Sequence, residues 1–177
     1  MLALIVWLVG IPLAHGAAPW AMSSFTRRYG WTEGWPGIWN LLGLIPVIGG
    51  IALLVWVLVV GLVETPRRTR LGLTPSYLLT RGPYTFTRNS MYLAELGLWL
   101  GWAFFYGSVP VSIAFVVFAV VVNVIVVPHE EQTLEAQFGT RYRRYKENVP
   151  RWLGKAQALE PQRSLRPVSE GLNRRWF

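Results

Sequence analysis

Four apolar runs constrain this chain more than any other feature. Met1 to Leu13 carries no charge over 13 residues, Gly37 to Val63 none over 27 and Val109 to Val127 none over 19, while Met91 to Phe105 carries only Glu95. A bilayer core takes roughly 20 apolar residues of helix. The second and fourth runs meet that length alone, and the third does if it extends from Ser90 to about Ser108. These runs are apolar all round instead of striped, as a helix facing lipid must be and a surface helix of a soluble domain is not. The first run lacks the Lys/Arg segment that opens a signal peptide, although Ala14-His15-Gly16-Ala17 is a tolerable cleavage-like stretch. It reads as a retained helix continuing to about Ala18. The expected fold is all-α and integral to the membrane, with about four transmembrane helices.

The charges orient those helices. Of 17 Lys and Arg residues, Arg27 and Arg28 follow the first run, and none lies between the third and fourth. The other 15 lie between the second and third runs (Arg67 to Arg88) or after the fourth (Arg141 to Arg175). Basic loops stay on the cytoplasmic side, so the 64–90 loop and both termini are expected there, in a bacterial or archaeal cytoplasmic membrane. The net charge of +8 is then a matter of topology and attraction to anionic lipid heads, and nucleic acid is not an expected partner.

Composition removes several chemistries. With no cysteine, no aspartate and two histidines, His15 and His129, a thiolate zinc site, a cysteine nucleophile and a Ser-His-Asp triad are excluded. No metal is expected. The chain divides into an N-terminal pair of helices (1–73), a core (74–153) and a basic tail (154–177) within one membrane domain (1–177). The short link Tyr106-Gly107-Ser108-Val109-Pro110 forces the third and fourth helices into an antiparallel hairpin. Pro46 with Gly49 and Gly50 kinks the second helix or admits a close neighbour.

Two segments are denser in polar chemistry than topology requires. The first is Arg81-Gly82-Pro83-Tyr84-Thr85-Phe86-Thr87-Arg88-Asn89-Ser90-Met91-Tyr92. Gly82-Pro83 signals a fixed turn, Asn89 or Ser90 can cap the next helix, and Arg88 offers a planar fork for a carboxylate. An interfacial Arg beside aromatic anchors explains the same residues equally well. The second is Pro128-His129-Glu130-Glu131. Neighbouring carboxylates at a membrane boundary repel and are costly to desolvate, and on a helix they point about 100° apart. Leu134, Phe138, Tyr142 and Tyr145 then continue an apolar stripe at spacings of 4, 4 and 3, read as a cytoplasmic amphipathic helix lying on the membrane. The hairpin brings Arg88, Asn89 and Tyr92 beside Glu130 and Glu131, an arrangement matched to a zwitterionic ligand.

Thr80-Arg81-Gly82-Pro83-Tyr84 through Arg88-Asn89-Ser90-Met91-Tyr92, then Glu130-Glu131-x-x-Leu134-x-x-x-Phe138-Gly139-x-x-Tyr142-x-x-Tyr145 and Val149-Pro150-Arg151, together resemble the integral-membrane methyltransferases of the isoprenylcysteine carboxyl methyltransferase and phospholipid methyltransferase superfamily. The resemblance covers residues 74–153. It implies S-adenosylmethionine as cofactor, S-adenosylhomocysteine as product and a lipophilic acceptor entering from the membrane lipids. It also implies a cofactor site drawn from Gly82, Pro83, Tyr84, Arg88, Asn89, Tyr92, His129, Glu130 and Glu131. Ser90 stands where the family usually has Pro, which leaves the loop less rigid.

Arg88 and Glu131 are the expected catalytic pair, Arg88 orienting a carboxylate and Glu131 meeting the cofactor's cationic end. The acceptor is a prenylcysteine-like carboxylate, a phospholipid amine, or a small lipophilic thiol or amine; a non-catalytic scaffold or lipid binder keeping the fold is the alternative. His129 reads as a helix-start residue before it reads as a base. Glu95 is expected to pair with Arg88 or Asn123, Asn40 and Asn123 to bond between helices, and Trp99, Trp102, Phe104, Phe105 and Tyr106 to form an aromatic belt.

Overall fold

The computed structural model describes Gly10, residues 12–64 and residues 77–154. Most of the first apolar run, the 65–76 segment and the basic tail lie outside the described residues. The expectations placed on them are left there.

What is described is mostly helical. A π-helical turn, Leu13–Ala17, leads into α1, Ala18–Ser24, so this helix runs a turn and a half beyond the expected end at Ala18. Pro19 has no amide hydrogen to give to the carbonyl four residues back. That carbonyl is His15's, and Trp102 Nε1 donates to it at 2.6 Å. A two-residue ribbon follows, β1 (Trp31–Thr32) antiparallel to β2 (Trp35–Pro36), which the all-helical expectation did not include. Then come α2 (Ile38–Leu41), α3 (Leu44–Glu64), a 3₁₀ turn at Gly82–Thr85, α4 (Ser90–Tyr106) and α5 (Val109–Val121). A π-helical turn at Val122–Val126, α6 (Val127–Phe138) and α7 (Thr140–Asn148) complete the order.

α3 and α4 form the tightest seam, and small residues make it possible. A Cβ on Gly50 would stand 2.8 Å from the Ala94 carbonyl oxygen, and one on Gly101 2.6 Å from that of Gly43. Val47, Leu54, Ala94 and Leu98 close over this seam as the buried core. Gly50, not Gly49, is the point of close approach, since Gly49 faces open space. Van der Waals packing of this kind is what holds helices together where lipid is as apolar as leucine.

α4 ends on Gly107, whose left-handed φ of 54° suits glycine. Two residues later α5 begins and packs back on α4. Residues Val109–Phe138 run as one long helix. The π turn at Val122–Val126 immediately precedes Pro128, which would otherwise collide with the carbonyl of Val124 in a regular ladder. Glu130 and Glu131 therefore sit in the last turns of this helix, not at the start of a new one. The single surface helix expected to carry the stripe is broken at Gly139 (φ 52°), yet Leu134, Phe138, Tyr142 and Tyr145 still share one apolar cluster, packed with Leu78 and Val149.

Among the described residues, Ile38–Glu64 and Val109–Phe138 are the two segments long and apolar enough to cross a membrane. Only 11% of the apolar window of the second is buried, which is unlike the core helix of a soluble protein. Its exposed residues include Ile113, Val116, Val117, Val120 and Val124, a surface that lipid solvates and water does not. α4, at 17 residues, is shorter than the expected third span.

At the end of α4 distant from the 3₁₀ turn, the expected aromatic group gains an unexpected partner. Trp31 and Tyr106 stack, and the Arg28 guanidinium lies 4.8 and 5.0 Å from their ring centroids. Asn40 binds there as expected of an interhelical residue, its amide donating to the carbonyls of Tyr29 and Phe104.

Candidate functional site

The opposite end of α4 gathers the polar residues. Gly82 takes a positive φ of 59°, and a side chain there would strike Val60 of α3. Pro83 is buried, and Phe86 packs on Trp56. Gly82 and Pro83 thus anchor the 3₁₀ turn to α3 and deliver Tyr84, whose carbonyl accepts the Tyr145 hydroxyl at 2.7 Å. Asn89 occupies the N-cap position of α4 but makes no capping bond. Its amide instead donates to the Arg151 carbonyl at 2.9 Å, which Thr87 Oγ1 also meets at 3.0 Å. Ser90 Oγ donates to the Thr87 carbonyl.

Arg88 and Glu131 meet in the middle. Arg88 Nη1 lies 2.9 Å from Glu131 Oε1, with the two side chains 11% and 9% exposed. Arg151 reaches the same carboxylate, Nη2 to Oε2 at 2.7 Å and Nε to Oε1 at 3.2 Å. Both oxygens of Glu131 are therefore taken by guanidinium groups. Glu130, about 100° round the helix, is exposed and accepts the Tyr92 hydroxyl at 2.9 Å. Arg88 Nε and Nη1 are buried without a hydrogen-bond partner among the described residues, Nη1 meeting Glu131 as an ion pair. A buried donor left unpaired costs about 1–3 kcal/mol.

These residues border a cavity of about 120 Å³, lined by Tyr84, Arg88, Asn89, Glu130, Glu131 and Tyr142 among others. Burial pushes the Tyr84 hydroxyl up to about 12, with the nearby Glu130 charge adding to the shift. Burial also raises Tyr142; Glu131 adds to this and Arg88 opposes it. The hydrogen bond to Glu131 raises Arg151 further. The rim is thus cationic at Arg88, anionic at Glu130 and aromatic between.

Of the residues anticipated from sequence, Tyr84, Arg88, Asn89, Glu130 and Glu131 line this cavity, and Tyr92 is tied to it through Glu130. Gly82 and Pro83 support it from behind. His129 is exposed on α6 outside the lining. Glu95 is paired with neither expected partner: Arg88 is on Glu131, and Asn123 Oδ1 accepts from Trp152 Nε1 at 3.1 Å. Nothing in the structure explains Glu95. Neither Arg151, which enters the sequence pattern only within Val149-Pro150-Arg151, nor Tyr142, which belongs to the apolar stripe, is among the site residues expected from sequence. The run Pro150-Arg151-Trp152 after the last helix was the available signal, but its partners are 20 to 64 residues away.

A family model described as phospholipid methyltransferase matches residues 38–141. An uncharacterized protein of Haemophilus influenzae (strain Rd) is 40% identical over 63 residues, covering 36% of this chain and all of that protein. No solved structure matches the chain.

Proposed function

The chain belongs to the phospholipid methyltransferase family, within the isoprenylcysteine carboxyl methyltransferase-like membrane superfamily, and on that premise we propose that it transfers a methyl group from S-adenosylmethionine to a lipophilic acceptor at the cytoplasmic membrane face. The observation that carries this reading is Arg88, a cavity-lining residue whose Nε and Nη1 are buried without a hydrogen-bond partner among the described residues, across from the exposed Glu130 in the same lining. A ligand with a carboxylate and an ammonium matches that pair of edges. Arg88 binds the carboxylate, Glu130 the cationic end, and Tyr84 and Tyr142 flank the remainder. Glu131 does not meet the ligand; it fixes Arg88.

The cofactor supplies a methyl already activated on a sulfonium. The chain's residues then need only align donor and acceptor and exclude water. An apolar groove of about 400 Å³, lined by Leu96, Phe115, Ala119, Asn123 and Trp152 among others, supports an acceptor with a lipid-like chain. Leu96 lies one turn after Tyr92 on α4. One wall of the groove is thus a turn away from the Tyr92–Glu130 pair along α4. A carboxylate acceptor, as in a prenylcysteine-like compound, needs no base. A phospholipid amine must lose a proton, and Glu130, held by Tyr92, is placed to take it.

The topology belongs to the same proposal: about four spans, with the 64–90 loop and both termini cytoplasmic, following the 15 of 17 basic residues on one side. The test is transfer of labelled methyl from S-adenosylmethionine into lipid-extractable product by membranes carrying the protein. Label released as methanol by alkali identifies a methyl ester, and alkali-stable label an N-methyl group. No label above membranes carrying Arg88→Ala sinks the enzymatic reading.

A further inference from the structure

We propose that Arg151 is a positioning residue: by holding one side of Glu131 it leaves Arg88 free to face the cavity. This rests on the functional reading above and extends it to a residue that does not line the site. Glu131 has two oxygens and two guanidinium groups compete for them. Arg151 takes both edges, at 2.7 and 3.2 Å, and Arg88 is left with a single approach, Nη1 at 2.9 Å. A carboxylate and a guanidinium prefer a two-bond fork. Without Arg151, Arg88 is drawn to face both Glu131 oxygens, and its Nε and Nη1, buried and without a hydrogen-bond partner on a cavity-lining residue, are taken up by Glu131 and lost to the ligand.

The backbone separates this role from a merely structural one. The strap carrying Arg151 is docked by main-chain carbonyls: Pro150 accepts from the Arg88 amide at 3.0 Å, and Arg151 accepts from Thr87 Oγ1 and Asn89 Nδ2. Any residue at 151 supplies the same carbonyl. Trp152, bonded to Asn123, holds the next position. Removing the guanidinium therefore leaves the strap in place.

The experiment is S-adenosylhomocysteine binding to the full chain in detergent, by calorimetry, with the thermal midpoint measured alongside. Arg151→Met is expected to weaken binding about tenfold, the worth of one charge-assisted bond, with the midpoint near that of the wild type. Arg151→Lys, a point charge without the fork, is expected to fall between. Wild-type affinity in Arg151→Met overturns the positioning role, as does an affinity loss that follows a fallen midpoint and is equal in Arg151→Lys. Absence of binding by the wild type itself instead removes the functional reading on which the role rests.

Discussion

The Arg88 guanidinium lies 2.9 Å from the Glu131 carboxylate, although 43 positions separate them in sequence, and both side chains are almost fully buried. Breaking a buried pair leaves an uncompensated charge and costs about 3–5 kcal/mol; Arg151, which also faces Glu131, adds a second orphan. Glu131→Ala is therefore expected to lower the thermal midpoint and to weaken S-adenosylhomocysteine binding by at least about tenfold. A stable variant with unchanged affinity contradicts the assignment of Glu131 as the holder of Arg88.

Glu130 behaves differently because it is exposed and carries one partner, Tyr92. Glu130→Gln should leave the midpoint within about 0.5 kcal/mol of wild-type stability while weakening cofactor binding about tenfold. Tyr92→Phe removes only the orienting bond and should cost about threefold. Equal and large losses of stability in both variants would show that this pair is structural.

The helix seam gives a prediction independent of function. A side chain on Gly101 would stand 2.5 Å from Val47 Cγ2 and 2.6 Å from the Gly43 carbonyl oxygen. Gly101→Val should destabilise the protein by about 1–3 kcal/mol or more, since overpacking forces helices apart. Gly49→Ala, facing open space, should be neutral or slightly stabilising through helix propensity. Detergent-resistance melts of the two variants read the difference.

Alkaline pH tests the cavity wall. The Tyr84 hydroxyl is raised from 10.0 to about 12, chiefly by burial. Below pH 10 it is neutral folded and unfolded, and its contribution is intact. Between pH 10 and about 12 the unfolded chain ionises while the folded one does not, so stability falls as pH rises. Tyr142 and Tyr145 shift in the same direction, again mainly by burial. Tyr84→Phe should flatten part of the decline in thermal midpoint between pH 10 and 12. An unchanged slope places Tyr84 in water.

Much of this was legible in the sequence, for definable reasons. Uncharged runs of 27 and 19 residues have few uses other than spanning lipid, and the two-residue link at Gly107 left the chain little choice but to return. That return brought Arg88 and Glu131 together. Three things were hidden. The helix containing Glu130 and Glu131 continues to Phe138 because a π turn absorbs Pro128, and proline in a sequence signals an end more often than a bulge. Gly139 splits the helix beneath a stripe whose residues still pack together. Arg151 found Glu131 through contacts of a strap whose docking depends on main-chain carbonyls, and these leave no trace in residue identity. Glu131 meets two arginines and lines the cavity as well; in the function proposed above it holds Arg88, where the family resemblance implies a partner of the cofactor.

Calorimetric titration of the purified full chain with S-adenosylhomocysteine, wild type beside Arg88→Ala, tests the central claim most directly. The account predicts saturable binding at one site in the wild type and its loss in a folded Arg88→Ala. No binding in the wild type, or the same affinity in both, contradicts it.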